Sequence, residues 1–167
     1  QAFGTGHHET TTGCLEAIER VLKRKKPMRP IDVGTGTGIL AITVAKRRKL
    51  PVIASDIDPL AVRITQENAR ANGVSHMIVP VDAAGVDHTT IRGNAPYDLI
   101  IANILAGPLV ELSPHIGRIA DRGAAIILSG LLNTQAQRII AAYNRQGMVL
   151  KDRIVRKDWT TLILEKA

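Results

Sequence analysis

The chain has 167 residues, of which 45% are hydrophobic and 22% charged, so it is long enough for one globular domain and too apolar to be disordered. Its single cysteine excludes an internal disulfide, and no apolar run is long enough to span a bilayer. Because the start of the chain also lacks a basic-then-apolar signal pattern, we expect a cytoplasmic protein that does not bind a membrane.

A net charge of +7 is compatible with a nucleic-acid partner. Much of the excess falls in two runs, 23–26 and 46–49, each at the end of a predicted helix, where cations interact favourably with the helix dipole. Aromatic residues make up only 2% of the chain, so the rings on which single-stranded nucleic acids stack are scarce. Direct nucleic-acid binding is therefore not favoured.

The chain opens on a glycine- and threonine-rich segment, 1–12, which we predict to be a loop. A helix follows, because Cys14, Ile18 and Val21 recur at helical spacing and define an apolar face, with Cys14 a core residue. Pro27 and Pro30 end this helix. Since a domain rarely begins in such a specialised loop, we expect residues 1–167 to form a single domain of a longer protein.

The next segment predicts a buried strand that turns through three glycines, Gly34, Gly36 and Gly38, into a helix. Glycine adopts positive φ at low cost and lets a ligand lie against bare backbone, so this spacing indicates a nucleotide-like ligand. The pattern differs from the dinucleotide fingerprint, whose third glycine would fall at Ile39. A carboxylate at Asp32 would repel a pyrophosphate and attract an ammonium or sulfonium group, which favours S-adenosylmethionine over NAD.

The remaining elements alternate between strands and helices. Asp58 and Pro59 predict a helix start and Asn72-Gly73 its end. Pro114 is expected to bend or split the helix that contains it. The predicted strands are 51–56, 76–81, 97–103 and 123–129, and the predicted helices are 39–48, 59–72, 108–119 and 133–145.

Two extended runs, 148–156 and 159–164, close the chain with hairpin spacing around Lys157-Asp158. The predicted fold is therefore α/β, a Rossmann-like, doubly wound, seven-stranded and mostly parallel sheet with an antiparallel hairpin at its C-terminal edge.

Polar residues end several of the predicted strands, where ligands of open α/β sheets bind. Asp56 ends the second strand, where an acid can accept both ribose hydroxyls. Asp82 ends the third, where its side chain or the adjacent backbone can meet an adenine edge. Asn103 ends the fourth, next to the expected reactive carbon. Asp and Asn also cap turns, so each residue alone carries little weight.

Several segments together resemble the catalytic domain of the bacterial ribosomal protein L-11 methyltransferase (PrmA) family, within the class I S-adenosylmethionine-dependent methyltransferases. The resemblance covers almost the whole chain, including Leu-Ser-Gly-Leu-Leu from Leu128 and the late Trp159. The opening loop and the Asn-Ile-Leu-Ala-Gly-Pro run are specific to the family. The other matching segments are Ala-Phe-Gly-Thr-Gly-His-His-Glu-Thr-Thr from Ala2, Asp-Val-Gly-Thr-Gly-Thr-Gly-Ile-Leu-Ala from Asp32, Asp-Ile-Asp-Pro from Asp56 and Ala-Asn-Ile-Leu-Ala-Gly-Pro-Leu from Ala102.

This resemblance implies the class I methyltransferase fold, S-adenosylmethionine as cofactor and a ribosomal protein as substrate. It also implies that the cofactor contacts Thr11, Gly34, Asp56 and Asn103 and is covered by Phe3, Thr5 and Gly6. Family members carry a separate substrate-binding domain before the catalytic one, and no such domain is present in this sequence. We therefore expect the chain to be the C-terminal catalytic part of a longer protein.

Methyl transfer from a sulfonium needs a neutral nucleophile held in line with the methyl carbon, and no metal is expected. Deprotonating a lysine at pH 7 costs about 4.6 kcal/mol, and an α-amine about 1 kcal/mol. We expect the Asn103 side-chain oxygen to orient the amine, which makes Asn103 the candidate catalytic residue. His7 and His8 could accept the proton, although a simple loop role is favoured.

Two alternatives remain open. One is a nucleic-acid methyltransferase; however, enzymes that methylate base amines typically follow Asn or Asp with Pro-Pro and an aromatic ring, and Asn103 is followed by Ile104 and Leu105. The other is a cofactor-binding module without catalysis, which would bind the cofactor without turning it over.

Overall fold

The computed structural model describes residues 6–167. Within them lie seven strands and six α-helices. The strands are β1 (Pro30–Val33), β2 (Val52–Asp56), β3 (Ile78–Asp82), β4 (Tyr97–Asn103), β5 (Ala120–Leu132), β6 (Met148–Arg156) and β7 (Trp159–Lys166). The helices are α1 (His7–Leu22), α2 (Ile39–Arg48), α3 (Pro59–Ala71), α4 (Thr89–Gly93), α5 (Ala106–Ile119) and α6 (Ala136–Asn144).

The strands form one sheet in the order β3-β2-β1-β4-β5-β7-β6. The first five in this order are parallel, and β7 runs antiparallel to both β5 and β6. This confirms the predicted doubly wound sheet with a reversed edge hairpin. The chain leaves β1 toward β2 on one side and returns to β4 on the other, so the switch point, where such sheets bind ligands, lies between β1 and β4.

The core consists of two layers, one on each face of the sheet. One face packs against α1, α2 and α3 and includes Cys14, which is fully buried as predicted. The other face packs against α5 and α6, around Leu109, Ile116 and Tyr143. Central strands buried on both faces are a property of parallel sheets covered by helices.

The prediction that residues 1–12 form a loop is wrong for its second half, because α1 begins at His7. The first turn is closed by the Thr10 N–H, which donates to the Gly6 carbonyl at 2.9 Å. Thr10 is buried, and its carbonyl lies within 3.5 Å of the Ser129 hydroxyl of β5. Contacts with the sheet therefore hold a threonine-rich helix start that has little intrinsic helix propensity.

Of the two outcomes expected at Pro114, a bend or a split of the helix, the split is wrong, since α5 is continuous from Ala106 to Ile119. A proline lacks the N–H that would bond to the carbonyl four residues earlier, here that of Val110. The Ser113 hydroxyl donates to this carbonyl at 2.8 Å instead. The side chain next to the proline thus satisfies the group that the proline leaves unpaired, and the helix continues.

Several other boundaries move by a few residues. β5 is longer than predicted because its ends find partners: Ala120 pairs with Tyr97, and Leu132 pairs with Trp159. β3 begins at Ile78. The helix predicted over 133–145 begins as a 3-10 turn at Asn133–Gln135 before α6.

Candidate cofactor and active site

The three glycines of the predicted turn all have positive φ, at 71° for Gly34, 60° for Gly36 and 85° for Gly38. Two of them also lack room for a side chain. A Cβ on Gly34 would lie 2.4 Å from Cγ2 of Ile104, and one on Gly38 would lie 2.7 Å from Cγ2 of Thr65. Both the backbone conformation and the close packing therefore require glycine in the loop between β1 and α2, called the glycine loop below.

Most of the amide donors of the glycine loop are already used within the protein. The Gly34 and Thr35 N–H groups donate to the Ser55 carbonyl at 2.8 and 2.9 Å, and the Gly36 N–H donates to Asp56 Oδ2 at 2.9 Å. A loop that binds pyrophosphate keeps such donors for the ligand. The glycine loop instead binds a carboxylate of its own chain, which agrees with the argument against a dinucleotide.

Helix α3 holds the glycine loop from the outside. The Thr65 hydroxyl donates to the Gly36 carbonyl at 3.1 Å, and the Asn68 side-chain amide donates to the Thr37 carbonyl at 2.8 Å. The loop is thus fixed through both its amides and its carbonyls. Its shape is set before any ligand binds.

Two cavities open beside the glycine loop. The large cleft, of about 1190 Å³, lies on the side of α5, and the small pocket, of about 290 Å³, lies between the first turns of α1, α2 and α3. Gly34 and Asn103 line both of them. A ligand that extends across the switch point would therefore contact the glycine loop and the end of β4 at the same time.

Two buried polar atoms at the small pocket have no hydrogen-bond partner among the described residues. They are the Thr11 hydroxyl and Asn103 Oδ1, and both residues line the small pocket. The Ser55 hydroxyl is also unpaired, and Ser55 lines the large cleft. An unsatisfied buried polar group costs about 1–3 kcal/mol, so these atoms beside open cavities are positions where a bound ligand or water can supply the missing partner.

Asp32 is only 1% exposed and lines neither cavity. Its Oδ2 accepts a hydrogen bond from the Thr35 hydroxyl at 2.8 Å. Burial raises the pKa of Asp32 to about 7, although hydrogen bonds from Thr35 and the Ala41 backbone act in the opposite direction, and the nearby Asp56 raises it further. Asp32 can therefore act on a ligand only through its charge, and it is partly protonated near neutral pH.

The other predicted carboxylates divide into one that faces a cavity and one that does not. Asp56 lines the large cleft, and its Oδ1 accepts from the Asp58 N–H at 3.0 Å. Because each carboxylate oxygen has two lone pairs, Asp56 can still accept bonds from a ligand. Asp82 pairs with Asp56 across β2 and β3 but is exposed and lines neither cavity; its neighbour Ala83 lines the large cleft.

The structure therefore brings together five of the predicted cofactor residues: Thr11, Gly34, Gly36, Asp56 and Asn103. Gly38 is buried against Thr65 and Gly6 is buried against Trp159, so neither lines a cavity. Phe3 and Thr5 lie outside the described residues.

Of the two candidate histidines, His7 lines the small pocket and His8 does not. Both are exposed residues of the first turn of α1. Their roles in proton transfer stay predictions, but their positions differ.

Sequence reasoning missed several residues that line the cavities. Ser55 precedes Asp56 in β2, and Ile57 follows it with 70% of its surface exposed. Ile104 and Pro108 continue the chain after Asn103 along the large cleft. A polar residue at the end of an apolar strand, as at Ser55, is a signal that could have been used.

The first half of α1, which carries Thr11 and His7, is anchored to the C-terminal hairpin. Glu9 forms ion pairs with Arg156 at 3.2 Å and Lys157 at 3.4 Å, and its side chain is 12% exposed. Farther along, a Cβ on Gly13 would lie 2.3 Å from the Thr161 hydroxyl. These contacts with the hairpin therefore fix the position of α1 against this edge of the sheet.

Neither a metal centre nor a membrane span is found in the part of the chain that the structure describes. Residues 6–167 contain no group of three or more His, Cys, Asp or Glu side chains placed to hold a metal ion. No helix among these residues is long and apolar enough to cross a membrane.

The fold, with a glycine loop at its switch point, is that of class I methyltransferases. A methyltransferase of Pyrococcus furiosus has the same fold at 16% identity, with a TM-score of 0.73 over 92% of this chain and 83% of that one. A ribosomal protein L11 methylase from Lactobacillus delbrueckii subsp. bulgaricus is more similar, with 31% identity and a TM-score of 0.87 over 97% of this chain and 81% of that one.

The family model for ribosomal protein L11 methyltransferase (PrmA) matches residues 1–167, and the chain belongs to this family. A ribosomal protein L11 methyltransferase of Brucella suis is 46% identical over 164 residues, which are 98% of this chain and 58% of the relative. One from Agrobacterium fabrum is 47% identical over 166 residues, which are 99% of this chain and 57% of the relative. The chain thus spans somewhat more than half the length of these relatives.

Proposed function

We propose that this chain is the catalytic part of an S-adenosylmethionine-dependent methyltransferase that modifies amines of a protein, with ribosomal protein L11 as the substrate. Membership of the family supports the reaction class. The observation that carries the proposal is the pair of cavities that meet at Gly34 and Asn103, with an unpaired buried oxygen at Asn103.

The residues at the two cavities fit S-adenosylmethionine. Asp56 would accept hydrogen bonds from the ribose hydroxyls, and the apolar side chains of Ile57 and Ile104 would flank the adenine in the large cleft. Thr11 and Asn103 would bind the amino-acid part in the small pocket, where their unpaired oxygens need partners. The buried charge of Asp32 would favour the positive charges of the ligand.

Charge also supports a cationic acceptor. Among the cavity-lining residues, Asp56, Asp58 and Glu111 are carboxylates without a cation within ion-pair distance in the described part of the chain. Of the two lining arginines, Arg92 pairs with Asp87, and Arg118 contacts His115. Although the whole chain is basic, the cavities carry unpaired acids, which favours an amine that arrives as an ammonium.

S-adenosylmethionine, when bound, supplies an electrophilic methyl group on a sulfonium. The chain would position the acceptor: Asn103 Oδ1 has two lone pairs, so beside its bond to the cofactor it would accept one N–H of the amine and direct the amine lone pair toward the methyl group. The acceptor must lose a proton before transfer, at a cost of about 4.6 kcal/mol for a lysine at pH 7. His7 lies at the same pocket and is the candidate to receive that proton, either directly or through water.

The cavities support a nucleic-acid substrate less well. No Phe, Tyr or Trp side chain among residues 6–167 lines either cavity, so an extruded base would lack the large ring on which such enzymes stack it. A module that binds the cofactor without catalysis is distinguished by turnover, because it would produce no S-adenosylhomocysteine with any amine.

The relatives are longer than this chain, and we propose that recognition of the substrate depends in part on sequence beyond the segment described. The placement of the catalytic residues in 1–167 does not depend on that proposal.

The proposal is tested with Asn103→Ala, and Asn144→Ala serves as the control because Asn144 is an exposed residue at the end of α6. Cofactor affinity is measured by calorimetry, and turnover by S-adenosylhomocysteine release with an amine acceptor. We expect Asn103→Ala to lower turnover at least tenfold and Asn144→Ala to leave it unchanged. Equal turnover in both variants would refute the assigned role of Asn103.

A further inference from the structure

A second concentration of charge lies at the end of the sheet away from the glycine loop. Two sets of residues paired across β1, β4 and β5 mark positions along the sheet. One set is Pro30, Leu99 and Ala125. The other, three residues nearer the glycine loop, is Val33, Ala102 and Leu128. The two sets are about 10 Å apart along the strands. The run Lys23-Arg24-Lys25-Lys26, directly after α1, lies at the far end, beside the set that includes Ala125.

A groove of about 200 Å³ opens at this end between α1, β6 and β7. Its apolar walls include Val21, Ala125 and Leu164, which are at most 5% exposed. Five cationic side chains line it: Arg20, Lys23, Arg24, Lys25 and Lys151. We call it the basic groove.

The two carboxylates of the basic groove are already paired. Asp152 contacts Arg20 at 2.6 Å, and Glu165 contacts Lys25 at 3.0 Å. These contacts lower the pKa of both acids, so both stay ionised at neutral pH. Among the described residues, Lys23, Arg24 and Lys151 have no ion-pair partner within 4 Å. The groove therefore carries three positively charged side chains that form no ion pair among the described residues.

Although the composition alone does not favour nucleic-acid binding, the concave arrangement of these cations leads to a different inference: we propose that the basic groove binds the phosphate backbone of a double-stranded RNA segment. Phosphate is the group that a concave cluster of lysine and arginine side chains binds best. The site is separate from the cavities at the glycine loop, whose unpaired residues are mainly acidic. It does not depend on the proposed methyl transfer.

The shortage of exposed rings decides between the two forms of RNA. Tyr97 and Tyr143 are buried, and Trp159 packs against Gly6 near the start of α1, so no ring among residues 6–167 lines the groove. Single-strand binders rely on base stacking. A duplex, in contrast, is recognised through its phosphates and shape, largely without regard to sequence.

The charge count sets the expected salt dependence. Three phosphate contacts give a slope of about −2.7 in a plot of log K against log salt concentration, by analogy with duplex DNA. Raising the salt from 50 to 200 mM then weakens binding about 40-fold. Duplexes of different sequence should bind with similar affinity.

Fluorescence anisotropy with a labelled RNA duplex tests the proposal. The groove variant is Lys23→Gln, Arg24→Gln and Lys151→Gln together. The control is Arg63→Gln, Arg70→Gln and Arg138→Gln together, three exposed arginines on α3 and α6. Both variants remove three charges, so an effect of net charge alone would be the same in each.

We expect the groove variant to bind the duplex at least tenfold more weakly at 50 mM salt, with a nearly flat salt dependence. The control should stay within twofold of the parent chain. The proposal is overturned if both variants weaken equally, if the parent chain binds single strands more tightly than duplex, or if it binds vesicles of anionic phospholipid in preference to RNA.

Discussion

Replacing Gly36 with alanine tests whether a ligand lies against the glycine loop. Gly36 has a φ of 60°, and a Cβ built there meets no protein atom within 4 Å. Gly73, at the end of α3, has a φ of 71° and equally open surroundings, so it provides a matched control. Each substitution costs about 1–2 kcal/mol for the left-handed backbone, of which about 0.4–1 kcal/mol is offset by a less flexible unfolded chain.

Both variants should therefore lose about 1 kcal/mol of unfolding free energy, which chemical denaturation measures. Only Gly36→Ala adds a methyl group where we expect the cofactor, and we predict that it weakens S-adenosylhomocysteine binding at least tenfold, or about 1.4 kcal/mol. Calorimetry gives both affinities. If Gly36→Ala and Gly73→Ala bind the cofactor equally well, no ligand contacts the loop at Gly36 and the assignment fails.

Three further predictions concern Asp32, Glu9 and the histidines. Burial raises the pKa of Asp32 to about 7, so the contribution of this carboxyl group to stability is fully present below about pH 4 and is lost as the pH rises through 7. Asp32→Asn should remove this loss, so the unfolding free energies measured at pH 5 and at pH 8 should differ less than in the parent chain. Glu9→Gln breaks the ion pairs that anchor the start of α1 and should weaken cofactor binding severalfold. The control is Glu19→Gln, later in the same helix, which breaks the ion pair with Arg47 and should leave cofactor binding unchanged. Equal cofactor affinities of the two variants in calorimetry would contradict this prediction. His7→Ala should lower turnover and His8→Ala should not, because of these two residues His7 alone lines the small pocket. An unchanged rate in both variants would exclude these histidines from proton transfer.

Local signals in the sequence were sufficient for most elements of the fold. The predicted start of α3 is confirmed, with Asp58 Oδ1 accepting the Leu60 N–H at 2.9 Å. The hairpin around Lys157-Asp158 and the glycine loop were equally predictable, because the residues at these turns determine the backbone conformation. The start of α1 could not be predicted, since it depends on contacts with β5 and β7 that are distant in sequence.

The candidate site was only partly predictable. The sequence locates polar residues at strand ends, but the direction of a side chain depends on which face of the sheet it occupies. All four residues of β1 are buried, so there is no alternation of polar and apolar residues from which to predict that Asp32 lies away from the cavities. Side chains alternate between the two faces of a strand, so Ser55 lies on the same face as Ile53, two residues earlier, and it lines the large cleft on that face.

The most direct test of the proposed function is methyl transfer from labelled S-adenosylmethionine by the purified chain. It is offered free ribosomal protein L11 and, in a separate reaction, total RNA. The account predicts label in the protein, on lysine or α-amino nitrogen, and none in RNA. Label in RNA, or cofactor binding without turnover on any amine, would contradict it.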